Sequence, residues 1–386
     1  MKHTFKTTIS LLLCLFMLLV PVLVSCDTED YSDGIMIPSQ STPAATEDPE
    51  DTCLDTTKLN TENFHTEGEH PPSKDDNLET FYTEELEFLP LGNGDAYAVS
   101  CGAAKMLTSI VIPKTYKGKP VTTIASNAFK ECVALEQITL PNSILDIREK
   151  AFYKCANLKS INFPDSVKVM GNEAFYGCTS LTTIYIPSSI EKLGKKCFFG
   201  CISLECITFN AKLCADFASD DKVFCGFGYT NTPALKKCQL IIGSSVERIP
   251  NWCFSFLDGG SYLSNGFDFN QIIFENGCRT IGEFALAGND ICASIALPQS
   301  LTTIEARAFQ CDSYNSLAVS TLIIPKNVKK IDSYAFYNWN SLTQIKFDGT
   351  VEDWNAIQKG KKIFNFNVMR CQFVQCSNGR VYFNEN

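Results

Sequence analysis

Between Val121 and Phe209 the apolar positions return with a period of 23 residues and no slip. Phe129, Phe152, Phe175 and Phe198 keep this step, as do Cys132, Cys155, Cys178 and Cys201. Leu135, Leu158, Leu181 and Leu204 follow it too, with Ile138, Ile161, Ile184 and Ile207. A lone unit of this size cannot bury its apolar face, so the pattern predicts one supersecondary unit stacked on itself. Each unit reads L-x-x-I-x-I/F/L-P-x-x-I/V-x-x-I-x-x-x-A-F-x-x-C. Alternation at Ile138-Thr139-Leu140 or Ile184-Tyr185-Ile186 is the period of a half-buried strand. Pro141, Pro164 and Pro187 then end the strand, having no N–H for a ladder. The I-x-x-I-x-x-x-A-F portion predicts a short helical or 3-10 return carrying small and large core plugs.

Aligning the Ile slot gives ten strands, at Ile110, Ile138, Ile161, Ile184, Ile207, Leu240, Ile272, Ile295, Leu322 and Ile345. The Phe slot recurs downstream at Phe224, Phe254, Leu286, Phe309 and Phe336. Parallel strands about 4.8 Å apart would form a rod roughly 45 Å long, with right-handed crossovers. The runs of A-F-x-x-C-x-x-L-x-x-I, such as Ala151-Phe152 through Cys155, Leu158 and Ile161, resemble the BspA-like leucine-rich repeats of bacterial surface proteins, across about residues 86–386. The closing stretch from Phe347 to Ile357 is similar to that family's C-terminal segment, and Tyr97 to Phe129 to its N-terminal unit. The asparagine ladder seen after the strand in many other leucine-rich repeats is missing. The resemblance implies a leucine-rich-repeat solenoid of α/β class, strand-rich, with extracellular or surface-associated binding, often adhesion, and no enzymatic activity.

The period lengthens in three places, each between the Phe plug and the next strand: Phe224 to Leu240, Phe254 to Ile272, and Phe309 to Leu322. Insertions at one register of a solenoid emerge on one side, often the binding side. Each sets a tyrosine (Tyr229, Tyr262 or Tyr314) among Gly, Ser and Asn, a composition suited either to adaptable contact or to ordinary turns. The outward residue after each Ile slot changes character along the chain. Polar Thr139, Asn162, Tyr185 and Thr208 give way to Ile241, Ile273, Ala296 and Ile323, then Lys346. Contiguous apolar residues there mark a partner surface, a face covered by the inserted loops, or simply the strand preference of β-branched side chains.

The N-terminus reads differently. Lys2 and Lys6 precede an apolar run from Ile9 to Val24, as in a secretory signal. It ends Leu23-Val24-Ser25-Cys26, which resembles a lipoprotein lipobox and implies a diacylglyceryl thioether on Cys26, with cleavage before it; ordinary cleavage nearby or an uncleaved anchor are the alternatives. Residues 27–80 hold 15 Asp or Glu against two Lys and are rich in Thr, Ser and Pro. Such a segment cannot repay its ordering entropy and is expected to be a disordered tether. The expected division is therefore 1–25 signal, 26–80 tether, and 81–386 repeat domain with a C-terminal cap from about 345.

Charge and chemistry narrow the function. The net charge of −10 resides in the tether, leaving a nearly neutral repeat domain without the basic footprint that nucleic acid requires. The three histidines, His3, His65 and His70, all precede the repeats, which removes His-based nucleophile pairs and His-ligated metal from them. His65 and His70 fit a solvated linker better than a metal site, and no cofactor is expected. The 19 cysteines mostly fill apolar plug slots (Cys197 and Cys253 before Phe, Cys278 in the slot equivalent to Ile144, Cys292 in the Leu slot), as buried thiols do. Coil stacking would also bring sulfurs into disulfide range, and Cys225 with Cys238 and Cys371 with Cys376 are the better bridging pairs. The expected function is lipid-anchored surface recognition of an extracellular protein or glycan, contacting membrane only through the lipid, with oligomeric state open. An envelope spacer and a carboxylate-based hydrolase are the alternatives.

Overall fold

The computed structural model describes residues 85–224, 238–255, 257–258, 261–262, 269–289, 294–311, 319–365 and 370–383. The chain divides into units Met1–Pro72 and Ser73–Asn386, and the described residues all lie in the second. Signal, tether and Cys26 fall outside them.

All ten Ile-slot residues sit in parallel strands, from Ser109–Val111 to Gln344–Phe347, that form an outer ladder in three segments, with breaks after the Ile161 strand and after the Ile295 strand. The register never slips across the slot: Ile110 faces Ile138, Ile184 faces Ile207, Leu240 faces Ile272, and Leu322 faces Ile345. Each slot residue points inward and is buried or nearly so, because a strand's period of two sends alternate side chains to the core.

The return differs from the sequence expectation. It carries a second parallel ladder of mostly two-residue strands, among them Asp146–Ile147, Val169–Met170, Lys192–Leu193, Thr280–Ile281 and Thr303–Ile304. Helix among the described residues is confined to a 3-10 turn at Ala104–Met106 and an α-helix at Val351–Ala356 near the C-terminal end. The extended part of the return gives its N–H and C=O groups to neighbouring coils, while turns around the Phe plug keep 3-10-type bonds within the coil, as from Lys130 N–H to Asn127 O and Cys132 N–H to Phe129 O, both at 3.1 Å. A turn is still needed before the Phe plug, and a left-handed residue supplies it. Asn127, Lys150, Glu173, Lys196, Lys222, Trp252, Phe284, Arg307, Tyr334 and Lys362, each two before the Phe slot, all have positive φ. Left-handed backbone costs a non-glycine residue about 1–2 kcal/mol, and it is repaid here by coil-to-coil bonding.

That turn opens a third ladder. Phe129 N–H donates to Ala151 O at 2.7 Å, Phe152 to Ala174 O at 2.7 Å, Phe175 to Cys197 O at 2.8 Å and Phe198 to Val223 O at 2.8 Å. The rings stack with the backbone: successive centroids from Phe129 to Phe224 lie 5.2, 5.0, 5.1 and 5.4 Å apart. The cysteine column completes it. Cys155, Cys178 and Cys201 thiols donate to the carbonyls of Phe129, Phe152 and Phe175 one coil back, at 2.9, 3.2 and 3.3 Å. Asn289 Nδ2 does the same for Phe254 O at 2.8 Å, and Trp339 Nε1 for Phe309 O at 2.7 Å. Sulfur therefore serves as a donor as well as a plug.

Of the two candidate bridges, Cys371 with Cys376 is not formed, and Cys225 with Cys238 falls partly outside the described residues. Cys238, Cys371 and Cys376 are free thiols, as is every described cysteine. Cys376 ends the extended strand Phe373–Cys376, which at about 3.3 Å per residue carries it beyond disulfide reach of Cys371. Cys238 points into the core and is fully buried, while Cys225 lies outside the described residues. Antiparallel pairs close the ladders: Glu87–Leu91 with Ala96–Ser100, and Phe373–Cys376 with Gly379–Tyr382.

Phe175→Ala, cutting the ring stack at its centre, is expected to cost about 3–5 kcal/mol. Phe175→Leu, the residue found at the same slot in Leu286, should cost less than half of that. Chemical denaturation followed by circular dichroism measures both; equal losses would show that the stacked ring itself, rather than apolar volume, is what the column requires.

Candidate binding face

The outer ladder presents two rows of side chains to solvent, one before and one after the Ile slot. Strand pairing sets Tyr185 beside Thr208, Thr208 beside Ile241, and Ile241 beside Ile273. The row resumes with Ala296 bridged to Ile323, and Ile323 paired with Lys346. Three of the predicted apolar residues and Tyr185 thus share one face. Tyr185 and Ile323 are well exposed, at 46% and 40%, whereas Thr208, Ile241 and Ile273 are half-buried.

Tyr262 lies in a small antiparallel pair, Leu257–Asp258 with Ser261–Tyr262, and its side chain is outside the described residues. Tyr229 and Tyr314 are wholly outside them.

The second row carries a feature that the apolar periodicity does not reveal. It runs Gln137 beside Ser160, then Thr183 beside Cys206, Cys206 beside Gln239, and Gln239 beside Gln271. Gln239 Nε2 donates to Gln271 Oε1 at 2.9 Å, so the amides form a short ladder along the face. Its signal in the sequence is the residue before each Ile slot, taken in order. At the end of the strand, Asn210 stands where other coils have proline. Its Nδ2 donates to Tyr185 Oη at 3.1 Å, fixing the one aromatic ring of the two rows between Ser109 and Lys346. Gly243 on the next coil makes room, since a Cβ there would collide with Asn210 Oδ1.

Charge lies mainly on the return side and turns, with Lys159 and Glu136 paired at 2.7 Å directly ahead of Ser160 and Gln137 on the outer ladder. Lys150 sits between Glu149 and Glu173, Lys168 meets Glu191 at 3.2 Å, and Lys330 meets Asp332 at 2.9 Å. Arg248 is the hub of one network, reaching Asn251 at 2.6 Å and Glu305 at 3.0 Å, with Asp216 on its other nitrogen. Asp216 and Glu305 are paired carboxylates, but the guanidinium between them holds both in its ion pairs. Burial opposes the ionised form of Asp216, yet bonds from Asn251 N–H and Arg248 leave its pKa below the usual value. Among the described residues, the carboxyls of Asp216, Asp220, Asp332, Glu352 and Asp353 are all held below the usual carboxylate range by hydrogen bonds and ion pairs. A general acid at neutral pH needs the opposite shift. Burial pushes the thiols of Cys155 and Cys201 up to about 12, away from thiolate chemistry. Among the described residues no group of three or more His, Cys, Asp or Glu could hold a metal, and no helix is long and apolar enough to cross a membrane.

The repeat, its stacked plugs and its closing segments define a leucine-rich-repeat protein. The chain matches the family described as BspA type leucine rich repeat region in six copies, over residues 100–219 and 259–368, more than half its length. It belongs to that family. Among solved structures, a leucine-rich repeat protein from Bacteroides ovatus is 20% identical, with 76% of this chain and 80% of that one covered and a TM-score of 0.37. The T. pallidum leucine rich repeat protein is 17% identical over 75% and 89%, with a TM-score of 0.32. A leucine rich cell surface protein from Faecalibacterium prausnitzii is 19% identical over 75% and 98%, at 0.25. None of the curated proteins matches.

The ion pairs set an acid limit. The Lys330 ammonium, followed by the Ser333 N–H, holds Asp332 below the usual carboxylate pKa. A depressed folded pKa stabilises the fold above the unfolded value, near 3.9, and that stabilisation is lost as pH falls through the folded pKa. The melting temperature of the native chain should therefore exceed that of Asp332→Asn at about pH 6 and converge with it by about pH 2. A constant gap across that range would mean the carboxylate contributes nothing through its charge.

Proposed function

We propose that this chain is a surface-displayed, lipid-anchored recognition protein that binds an extracellular protein or glycan on its outer sheet and performs no chemistry. The observation that carries this reading is the in-register row from Tyr185 through Ile241 and Ile273, resumed at Ile323. It places apolar side chains and an anchored tyrosine on a rigid face where solvation alone would favour polar residues. Pre-organisation supports the reading as well. Each side chain on the face is held by a strand bonded to neighbouring strands, so binding would order little further and retain most of its contact energy. Downward-shifted carboxyls and buried, high-pKa thiols support the absence of catalysis. The family resemblance supports a surface location, and the lipobox supports the anchor.

Display of the full chain on cells, with Ile273→Lys and Tyr185→Ala tested separately, examines the face. Adhesion to matrix proteins or immobilised glycans should fall about tenfold or more, as when an interface anchor is lost, with melting unchanged. Undiminished adhesion in both variants would move the binding site elsewhere or leave the chain a spacer.

The anchor has its own test. Cys26→Ala should abolish incorporation of labelled fatty acid and release the protein from the membrane fraction. Labelling that persists would place the lipid, or the anchor, on another residue.

A further inference from the structure

The two outward rows of the sheet are nearly free of charge, and this selects among possible ligands. Surfaces generally carry charge at roughly 25–35% of positions, so two positions on each of ten strands should hold about five to seven charged residues. They hold one, Lys346. The remaining positions are Ser, Thr, Gln, Asn, Cys, Tyr, Ala, Val and Ile. The charge-free character is confined to this face, since the return side bears the Lys168–Glu191, Lys330–Asp332 and Arg248 pairs.

Hydrogen-bonding capacity on the face is largely unspent. Thr139, Ser160 and Thr183 are exposed and have no side-chain hydrogen bond among the described residues. Gln271 accepts from Gln239 through Oε1, which leaves its Nε2 directed to solvent. Amide and hydroxyl groups that can both donate and accept alternate across the strand with the apolar row. A neutral sugar polymer offers the matching surface: hydroxyls around each ring edge and C–H groups on its faces. The ladder repeats about every 4.8 Å, comparable to one hexose ring in an extended chain, so the same contacts recur from coil to coil.

We infer that the partner on this face is a neutral polysaccharide, lying across the strands, with its hydroxyls on the Gln/Ser/Thr row and its apolar ring faces on Tyr185, Ile241, Ile273 and Ile323. This rests on the recognition reading above and narrows it to one ligand class. An anionic polymer gains nothing here, because the face offers it a single cation.

Affinity electrophoresis and calorimetry of the full chain in detergent test it, with mannan, xyloglucan and laminarin as neutral probes and heparin and polygalacturonate as anionic ones. At least one neutral polymer should bind, with affinity unchanged at ~1 M NaCl, where the Debye length is about 3 Å. Thr208→Glu and Gln271→Ala should each weaken it about tenfold while the melting temperature holds. Binding to the anionic probes alone, lost in salt, would overturn the inference. Failure of every neutral probe, with matrix-protein adhesion still sensitive to Ile273→Lys, would overturn the ligand class and leave the recognition face standing. Neutral binding that survives both variants would place the sugar off this face and overturn the inference too.

Discussion

Coil-on-coil register is the constraint from which the rest follows. The outer strands, the return strands and the Phe-slot N–H groups each bond to the adjacent coil, so a residue at any slot lies on the same slot of its neighbours. An unpaired backbone group in the interior costs as much as a lost hydrogen bond. Turns within the coil must therefore leave carbonyls that the next coil can reach. The left-handed residue before each Phe plug is one consequence, and the donor three residues after the plug is another. Cys155, Asn289 and Trp339 differ in size and polarity, yet each brings a donor to the same carbonyl column. Where the slot holds a donor, the side chain around it varies with the space available, and in the sequence Phe227 and Leu257 fill the same slot with apolar groups.

The same constraint decides what is legible in the sequence. Phe129 through Phe198 and the ten Ile-slot residues can be read directly, because in-register stacking writes itself as a fixed period. The role of Cys155 cannot. Sequence shows that a small residue recurs, while its acceptor is a backbone atom 26 residues away. The return ladder is hidden for a related reason. A two-residue strand such as Val169–Met170 is too short to alternate, so its spacing resembles a helical turn until its partners are seen. Of the candidate face, Tyr185 and the isoleucines stand out as a row, whereas Gln239 and Gln271 look like generic polar strand residues. Tyr229 and Tyr314 sit in insertions, where the period that makes the rest readable is broken.

Register also sorts the aromatic side chains. Along the turn edge, Tyr153 stacks on Tyr176 at 5.0 Å and Tyr176 on Phe199 at 5.2 Å. Farther along, Trp252 stacks on Phe284 at 3.9 Å, and the Arg307 guanidinium lies between Phe284 and Tyr334 at 5.3 and 5.1 Å. By composition alone these half-exposed ribs suggest a sugar platform. The inner rings have little face to offer, since Tyr176 lies between Tyr153 and Phe199, and Phe284 between Trp252 and Arg307. Their contribution is cohesion between coils, at about 0.5–1.5 kcal/mol per pair beyond area burial.

Tyr185 is different because its neighbours in the row are Thr208 and Asn162, and neither offers a ring to stack on. Its hydroxyl is taken by Asn210, which fixes the ring without covering its faces. That arrangement depends on two departures from the repeat: asparagine in place of proline at 210 and glycine at 243, where any Cβ would collide with the amide. A solenoid under selection for cohesion alone would keep the proline, which ends the strand at Pro141, Pro164 and Pro187. Proline is also missing from this slot at Glu275 and Asp348, but at Asn210 and Gly243 its replacements together hold one tyrosine at the start of the apolar row. Recognition is therefore supported most directly by this local exchange of fold regularity for a fixed, open aromatic side chain.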